Sequence, residues 1–466
     1  MGATWTRSDR DTSHVPSGLD CRAAGNAIDF RQMKLLVIGG GGREHALGWK
    51  LAQSPRVSKL WCAPGNAGTQ GEPLATGGTV ENVALSAEDL GSLLAFAREH
   101  HPDLTVVGPD GALALGVVDA FQAEGYPIWG PRKAAARFEF SKAFSQEFMR
   151  RHGIPTAQSG TFTDPASALH FARQLGGRCV VKADGLALGK GVIMARDLSE
   201  AAAAIDRMLV DRMFGEASRE VVIQEWLEGT EISLHALCDG SHFQILPSSQ
   251  DHKRVGDGDL GPNTGGMGTY SPTPFLSTVE WEKMAHEVLD PWLVGCRSEG
   301  IDFRGLIYPG VMLTAHGPRV LEFNARWGDP ETQVYLPRLE NDLVEIFLAC
   351  IDGTLHRHPL RWSPLNSVCV VLASHGYPGA VERGKVIHGL ADVALFPQVK
   401  VFHAGTARLD EEVVTSGGRV LGVTAWDTSL HAARDRAYAA VDHLCFEGMQ
   451  FRRDIAAKGL AVAPLV

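Results

Sequence analysis

The chain has 466 residues, 44% hydrophobic and 21% charged, with a formal net charge of −10. That length exceeds what one hydrophobic core supports, and the composition excludes a wholly disordered chain. The acidic balance argues against a nucleic-acid partner, and no apolar run approaches the roughly 20 residues of a membrane helix.

The first 32 residues interleave Arg7, Arg10, Arg22 and Arg31 with Asp9, Asp11, Asp20 and Asp29, without apolar period. They read as a disordered extension or an over-called start, with Met33 opening the fold. Lys34–Ile38 is a strand that enters four glycines, Gly39–Gly42, and then a helical pattern through Ala46, Leu47 and Leu51. Leu60–Ala63 and Leu104–Gly108 are further strands, with a helix over Glu88–His100 between them. Alternating strands and helices predict a doubly wound parallel sheet in an N-terminal α/β domain over 33–135.

Glycine between strand and helix lets backbone amides approach a phosphate at the helix N-terminus. Gly40, Gly41, Gly42, Arg43 and Glu44 are therefore candidate substrate-binding residues, against a purely structural turn or a dinucleotide site. The last reading is weak, because the third glycine of its fingerprint falls on Glu44.

A second domain is expected over 136–362, with a mobile small lobe at about 156–226. Ser141–His152 reads as a helix, Cys179–Ala183 as a strand ending near Lys182, and 185–191 as a glycine-rich phosphate cover. The cover is no Walker loop, since Gly191 follows Lys190. Such covers open for exchange, so mobility without nucleotide is expected. Ser199–Leu209 is a helix, and Val221–Trp226 a strand running into an acidic turn. Residues 247–274, rich in Gly, Pro, Asp and Ser, read as one long loop. It opens on His252, Lys253 and Arg254, three cations suited to an anionic substrate, and closes on Asn263, Gly265 and Gly266.

Val320–Phe323 is a strand whose Glu322 and Asn324 share one face at spacing two. A carboxylate and an amide oxygen suit Mg²⁺, which leans on substrate phosphates for its remaining ligands. Arg326 follows and can reach a transferring phosphoryl group. From 363 to 466 short β-like runs, Val368–Ala373, Val399–Ala404 and Arg419–Ala425, precede a helix at Leu430–Leu444, predicting a small C-terminal α+β domain. The eight cysteines form no CxxC pair and point to neither zinc nor disulfides, as in a reducing cytoplasmic setting.

The ordered set VIGGGGREHAL, APGNAGT, VVGPD, SKAF, KADGLALGKGV, SQDHKRVGDGDLGPNTGGMG, EFNARWGDPETQ and GYPG covers nearly everything after the extension. It resembles the glycinamide ribonucleotide synthetase family of ATP-grasp enzymes. The resemblance implies ATP as cosubstrate, clasped between two lobes of a central domain. Lys142, Lys182, Gly185, Gly189, Lys190 and Gly191 would face its phosphates, Gln224, Glu225 and Leu227 its adenine, and Glu231 its ribose. Gln224 stands where a Glu is often found. Glu322 and Asn324 would hold Mg²⁺ or Mn²⁺, with Arg326, Lys182 and Asp329 as catalytic residues. The implied substrates are glycine and 5-phosphoribosylamine, with transient contact to the enzyme supplying the latter. Another ATP-grasp ligase, or a carboxylase activating bicarbonate, is the alternative.

Overall fold

The computed structural model describes residues 1–2, 31–185 and 191–462. Expectations for most of the N-terminal extension, for Gly189 and Lys190, and for the movement of the loop around them lie outside the described residues.

The first apolar runs become parallel strands. Met33–Gly39 lies at the centre, flanked by Val57–Pro64 and Leu104–Val107, with Glu81–Asn82 and Ile128–Trp129 at the edges. Leu35–Ile38 are fully buried, as expected of a strand covered on both faces. The chain leaves Met33–Gly39 first to one side and later to the other. The carboxyl ends of Met33–Gly39 and Leu104–Val107 thus form a switch point, where open α/β sheets receive ligands.

Residues 159–225 build a four-stranded sheet in the order Ser159–Phe162, Val221–Glu225, Cys179–Ala183 and Val192–Ala195, antiparallel throughout. Its helices Pro165–Gln174 and Leu198–Ile205 cover one face, burying Cys179, Val181, Ala183, Val221 and Ile223. Because side chains alternate, Val180, Lys182, Val222 and Gln224 share the opposite face. A larger antiparallel sheet is centred on Arg304–Thr314, which pairs with Thr230–Ser233, Ala236–Asp239 and Gly317–Asn324. Ile232, Ile307, Val311, Val320 and Phe323 enter its core. Glu231, Ser233, Tyr308, Glu322 and Asn324 therefore share its other face.

The stretch 247–274 is not one loop. It contains strands Gln250–Asp251, Arg254–Gly256, Leu260–Asn263 and Gly268–Ser271. At two to four residues each, they are too short to show a period through the glycines and prolines. Gly268–Ser271 pairs with Asn366–Ala373. The last sheet, completed by Arg419–Asp427 and Val399–His403, thus includes strands from the middle of the chain. Helix Leu430–Val441 packs on it.

Candidate active site

The two polar sheet faces meet around Lys182. Its Nζ donates to the backbone oxygen of Leu321, 3.0 Å away, on the strand that carries Glu322. Lys142 opens helix Lys142–His152, which Ser141 caps by accepting from Phe144 N at 3.1 Å. Lys142, Lys182 and Glu322 line one cleft with Gln146 and Val222. Burial pushes the Glu322 carboxyl up, but Lys182, Lys142, Lys253 and Arg326 outweigh it and hold Glu322 below the ordinary value. Burial pulls Lys182 down, with Glu322 opposing. The cleft is an ionised carboxylate between two ammonium groups, a setting suited to a polyphosphate and its metal.

Gln224 lies beside Val180 in the small sheet, 2% exposed, and its Nε2 has no hydrogen-bond partner. A buried amide donor without a partner costs about 1–3 kcal/mol, so this one fits a heterocycle edge. Glu225 points outward and accepts from Gln158 N at 3.2 Å, while Leu227 is half-buried. Gly185, with φ of +136°, accepts from Lys142 Nζ at 3.3 Å through its carbonyl. Gly191 lies next to the strand Val192–Ala195, its carbonyl accepting from Ala183 N at 2.8 Å. Burial raises the Glu231 carboxyl, and Lys253 opposes.

Asn324 donates through Nδ2 to the Tyr308 carbonyl at 3.3 Å, leaving Oδ1 with only a long 3.4 Å contact from Arg326. Glu322 and Asn324 stand opposite Gly310 and Tyr308 on one face, so a weakly held amide oxygen and an ionised carboxylate lie on the same side of the sheet. This donor set fits a hard divalent cation. Arg326 is held by Glu139, 2.9 Å away, whose other oxygen accepts from Ala325 N at 2.9 Å. Burial alone pulls the guanidinium down, and Glu139 and Asp110 more than restore it.

The glycine turn is organised differently. Helix Gly42–Ala52 begins there, and Glu44 reaches back to accept from Gly41 N at 2.6 Å, while its other oxygen accepts from Arg43 Nε at 2.6 Å. A Cβ at Gly39 or Gly108 would overlap Glu44, at 2.4 and 2.1 Å respectively, so both glycines make room for that side chain. Glu44 thus holds the turn, and Arg43 ties it to the Trp327 carbonyl at 3.1 Å. Asn66 donates to the carbonyls of Gly40 and His403, at 3.0 and 2.8 Å. Asp329 stands beside the turn, paired with Arg419 at 3.0 Å and accepting from Gln333 Nε2 at 2.7 Å.

The expected trio of cations does not converge. His252 is 1% exposed, its Nδ1 lies 3.0 Å from the Gly268 carbonyl, and burial lowers its pKa to about 4, so it is neutral. Arg254 donates to the Gly261 carbonyl at 2.8 Å within a two-stranded hairpin that also holds Asn263. Of the three, Lys253 meets the carboxylates, 2.7 Å from Asp251 and 4.0 Å from Glu331. Gly265 contacts Arg419 through its carbonyl at 2.7 Å, and Gly266, with φ of +118°, leaves space that a Cβ would close against Asp251 at 2.8 Å.

Several of these residues had no assigned role: Glu139, Asp251, Tyr308, Glu331, Gln333 and Arg419. Asp251, Glu331 and Gln333 lie inside the quoted motifs. Arg419 carried no signal, because it reaches Asp329 from 90 residues away.

Family models match nearly the whole chain: Phosphoribosylglycinamide synthetase, N domain, over 33–139; its ATP-grasp (A) domain over 140–332; and its C domain over 367–458. The chain belongs to the phosphoribosylglycinamide synthetase family. It is 49% identical over 430 residues to the phosphoribosylamine–glycine ligases of Vibrio vulnificus and Allochromatium vinosum, covering 92% of this chain and 99% of each relative. The crystal structure of phosphoribosylamine–glycine ligase from Thermotoga maritima is 35% identical, with a TM-score of 0.77 over 91% of this chain and all of that one. A biotin carboxylase domain from Hydrogenobacter thermophilus shares the fold at 16% identity, with a TM-score of 0.69 over 90% of this chain and 92% of that one. The family and the cleft agree on an ATP-grasp ligase architecture.

Proposed function

We propose that the chain joins glycine to 5-phosphoribosylamine, forming glycinamide ribonucleotide, ADP and phosphate for purine biosynthesis. The observation that carries this reading is the meeting of Lys142, Lys182 and Glu322 in one cleft, with Asn324 on the same strand face as Glu322, in a chain matched to the family over 33–139, 140–332 and 367–458.

The chemistry follows from charge. A carboxylate is a poor electrophile, because amine attack on it would have to expel oxide. Transfer of the γ-phosphoryl group to a glycine carboxylate oxygen gives glycyl phosphate and ADP. The amine then attacks the acyl carbon, phosphate leaves with the C–O bonding pair, and the amine loses a proton. Lys142 and Lys182 neutralise charge on the phosphates, and Arg326, fixed by Glu139, faces the developing oxyanion. Gln224 offers its amide to adenine and Glu231 its carboxylate to ribose. Mg²⁺ or Mn²⁺ held by Glu322 and Asn324 would supply electrostatic stabilisation of the phosphates. The 5-phosphate is assigned to the Gly40–Gly42 turn at the switch point, where helix dipole and backbone amides favour an anion. Asp329, bound to Arg419, positions that turn against the central domain.

No helix among the described residues is long and apolar enough to cross a membrane. A cytoplasmic enzyme that meets its phosphoribosylamine supplier transiently is the setting proposed.

The test is ADP release with glycine, with and without phosphoribosylamine. Glycine-dependent release, and positional exchange of ¹⁸O in ATP that requires glycine, are expected. Bicarbonate-dependent release in place of glycine would move the chain to the carboxylases, and exchange at the same rate without glycine would exclude the acyl phosphate.

A further inference from the structure

At the far end of the larger antiparallel sheet, away from the cleft, Asp239, His242 and His356 come together. Strands Ala236–Asp239 and Phe243–Ile245 form a hairpin at the edge of that sheet, and its turn carries Asp239 and His242. His356 sits on the short 3₁₀ turn Leu355–Arg357, which follows helix Leu343–Asp352. Gln244 stitches hairpin and turn together. Its Nε2 donates to the carbonyls of Leu355 and His358, at 2.5 and 3.0 Å, and its Oε1 accepts from Leu360 N at 2.9 Å. Asp239 stands opposite Arg304, and Tyr308, the partner of Asn324, lies further along the same strand. Four residues of strand separate the two positions by roughly 13 Å. The cluster is therefore distinct from the phosphate cleft.

Asp239 is fixed and fully buried. Its Oδ1 accepts from Ser241 N at 2.8 Å and His242 N at 2.6 Å, and its Oδ2 accepts from Leu355 N at 3.1 Å. A carboxylate oxygen has two acceptor positions, so Oδ2 keeps one open. Among the described residues no lysine or arginine pairs with Asp239, and the neighbouring Arg304 is taken by Asp302 at 3.0 Å. Buried carboxylates are held by a cation or a metal, and here the cation is missing. The imidazoles do not fill that place by hydrogen bonding. His242 Nδ1 lies 3.5 Å from Asp239 Oδ2, and among the described residues neither ring makes a hydrogen bond. Both rings are exposed, with centroids 4.5 Å apart and planes inclined by 39°.

We propose that Asp239, His242 and His356 bind a divalent transition-metal ion of the zinc class, which clips the edge hairpin to the turn after helix Leu343–Asp352. The site is independent of the ligase reading. One ligand atom from each residue lies within 4.8 Å of the other two. Around a tetrahedral Zn²⁺ with ligands at about 2.0–2.2 Å, neighbouring ligand atoms are about 3.3–3.6 Å apart. The 3.5 Å separation of His242 Nδ1 and Asp239 Oδ2 already matches one such edge. Rotation of the exposed His356 side chain supplies the rest, and water completes the shell. Two imidazoles and one carboxylate suit Zn²⁺, Co²⁺ or Ni²⁺ and disfavour Mg²⁺, which takes oxygen ligands. The donor set thus separates this site chemically from Glu322 and Asn324. The Leu355 N–H on Oδ2 orients the carboxylate, as outer partners of metal ligands do.

The test is calorimetric titration of Zn²⁺ into the full chain, stripped of metal and held in excess Mg²⁺ so that oxygen sites are filled. One Zn²⁺ is expected to bind to this site, and to raise the melting temperature where further Mg²⁺ does not. His242→Ala and His356→Ala alter exposed side chains and leave Asp239 in place, so both variants should fold with zinc-free melting temperatures near that of the unmodified chain. Losing an outer partner typically weakens metal binding 10–100-fold, so losing a ligand should weaken it by at least about 30-fold in each variant. The zinc-dependent rise in melting temperature should disappear with it. Zinc bound with unchanged affinity by both variants would place the ion elsewhere, for instance on the exposed Cys445, and overturn the site. Failure of the unmodified chain to bind Zn²⁺ in excess Mg²⁺ would overturn it equally. Glycine-dependent ADP release with Mg²⁺ should be unchanged in both variants, and its loss would overturn the separation of this site from the cleft.

Discussion

The glycine turn at Gly39–Gly42 and the cleft at Lys182 and Glu322 both join a strand to polar chemistry, yet they are built in opposite ways. At the turn, the protein satisfies itself: Glu44 takes the Gly41 N–H and the Arg43 guanidinium, and Asn66 takes two carbonyls. At the cleft, charges face each other across two sheets, and Gln224 Nε2 and Arg326 Nε lack partners. The first arrangement is rigid because its groups are partnered internally. The second carries a free-energy cost that only a polar ligand relieves. Mutations at the turn should therefore act on stability as well as on binding of the 5-phosphate proposed to lie there, and mutations at the cleft on turnover with little cost in stability.

The largest expected effect is at Glu322 and Asn324, the proposed metal pair. Removing one preorganised electrostatic group from an active site costs roughly 10²–10³ in rate. Glu322→Gln and Asn324→Ala should each slow turnover by about that factor, with ligand-free melting temperatures near that of the unmodified enzyme. Full activity in both variants would break the comparison on the cleft side.

Glu44→Ala should act chiefly on stability. It strips the cap from Gly42–Ala52 and leaves Arg43 Nε without its acceptor, costing about 1–3 kcal/mol of stability. Chemical denaturation reads this directly, and an unchanged midpoint would show that the turn is not held by Glu44.

The pH dependence separates the regions further. His235, His252 and His403 have pKa values lowered by burial to about 3, 4 and 3. Their folded values lie below the unfolded value of about 6.5, so the unfolded chain binds more protons at acid pH. Stability from these groups is fully present above about pH 6.5 and is lost as pH falls toward 4. Each contributes a slope of up to about 1.4 kcal/mol per pH unit in that window. Denaturation of His252→Asn across pH 4.5–7 should show a shallower slope than the unmodified chain, and an equal slope would mean that His252 is protonated in the folded state.

The smallest effect is at Gln224, the proposed adenine contact. Gln224→Leu removes a buried amide donor with no protein partner, so stability should hold or rise slightly. ATP affinity should fall severalfold, the scale of one hydrogen bond at about 0.5–1.5 kcal/mol, as read by calorimetry. Loss of stability with unchanged affinity would place that amide in the fold rather than in the site.

Local pattern made the first sheet readable. Met33–Gly39 and Leu104–Val107 are apolar runs bounded by glycine, and helix Lys142–His152 starts on Ser141 and stops at Gly153, whose φ is +67°. Spacing alone placed Glu322 and Asn324 on one face, because alternation along a strand is a property of the backbone. The strands within 247–274 were not readable, since two to four residues carry no period and their partners lie far along the chain.

What the sequence determined by itself was the inventory of chemistry: the glycine turns, the lysines, the metal-type pair and the ordered motifs that fix the family. What only the tertiary structure decided was which charges survive and what they face. His252, Lys253 and Arg254 read alike as cations. Burial neutralises the first, a hairpin carries off the third, and only Lys253 meets Asp251 and Glu331. Arg419 reaches Asp329 because a C-terminal strand pairs into a sheet shared with the middle of the chain. A residue's type sets the charge it can carry. Its burial, and partners up to hundreds of residues distant in sequence, set the charge it keeps, and those are properties of packing that no local window contains.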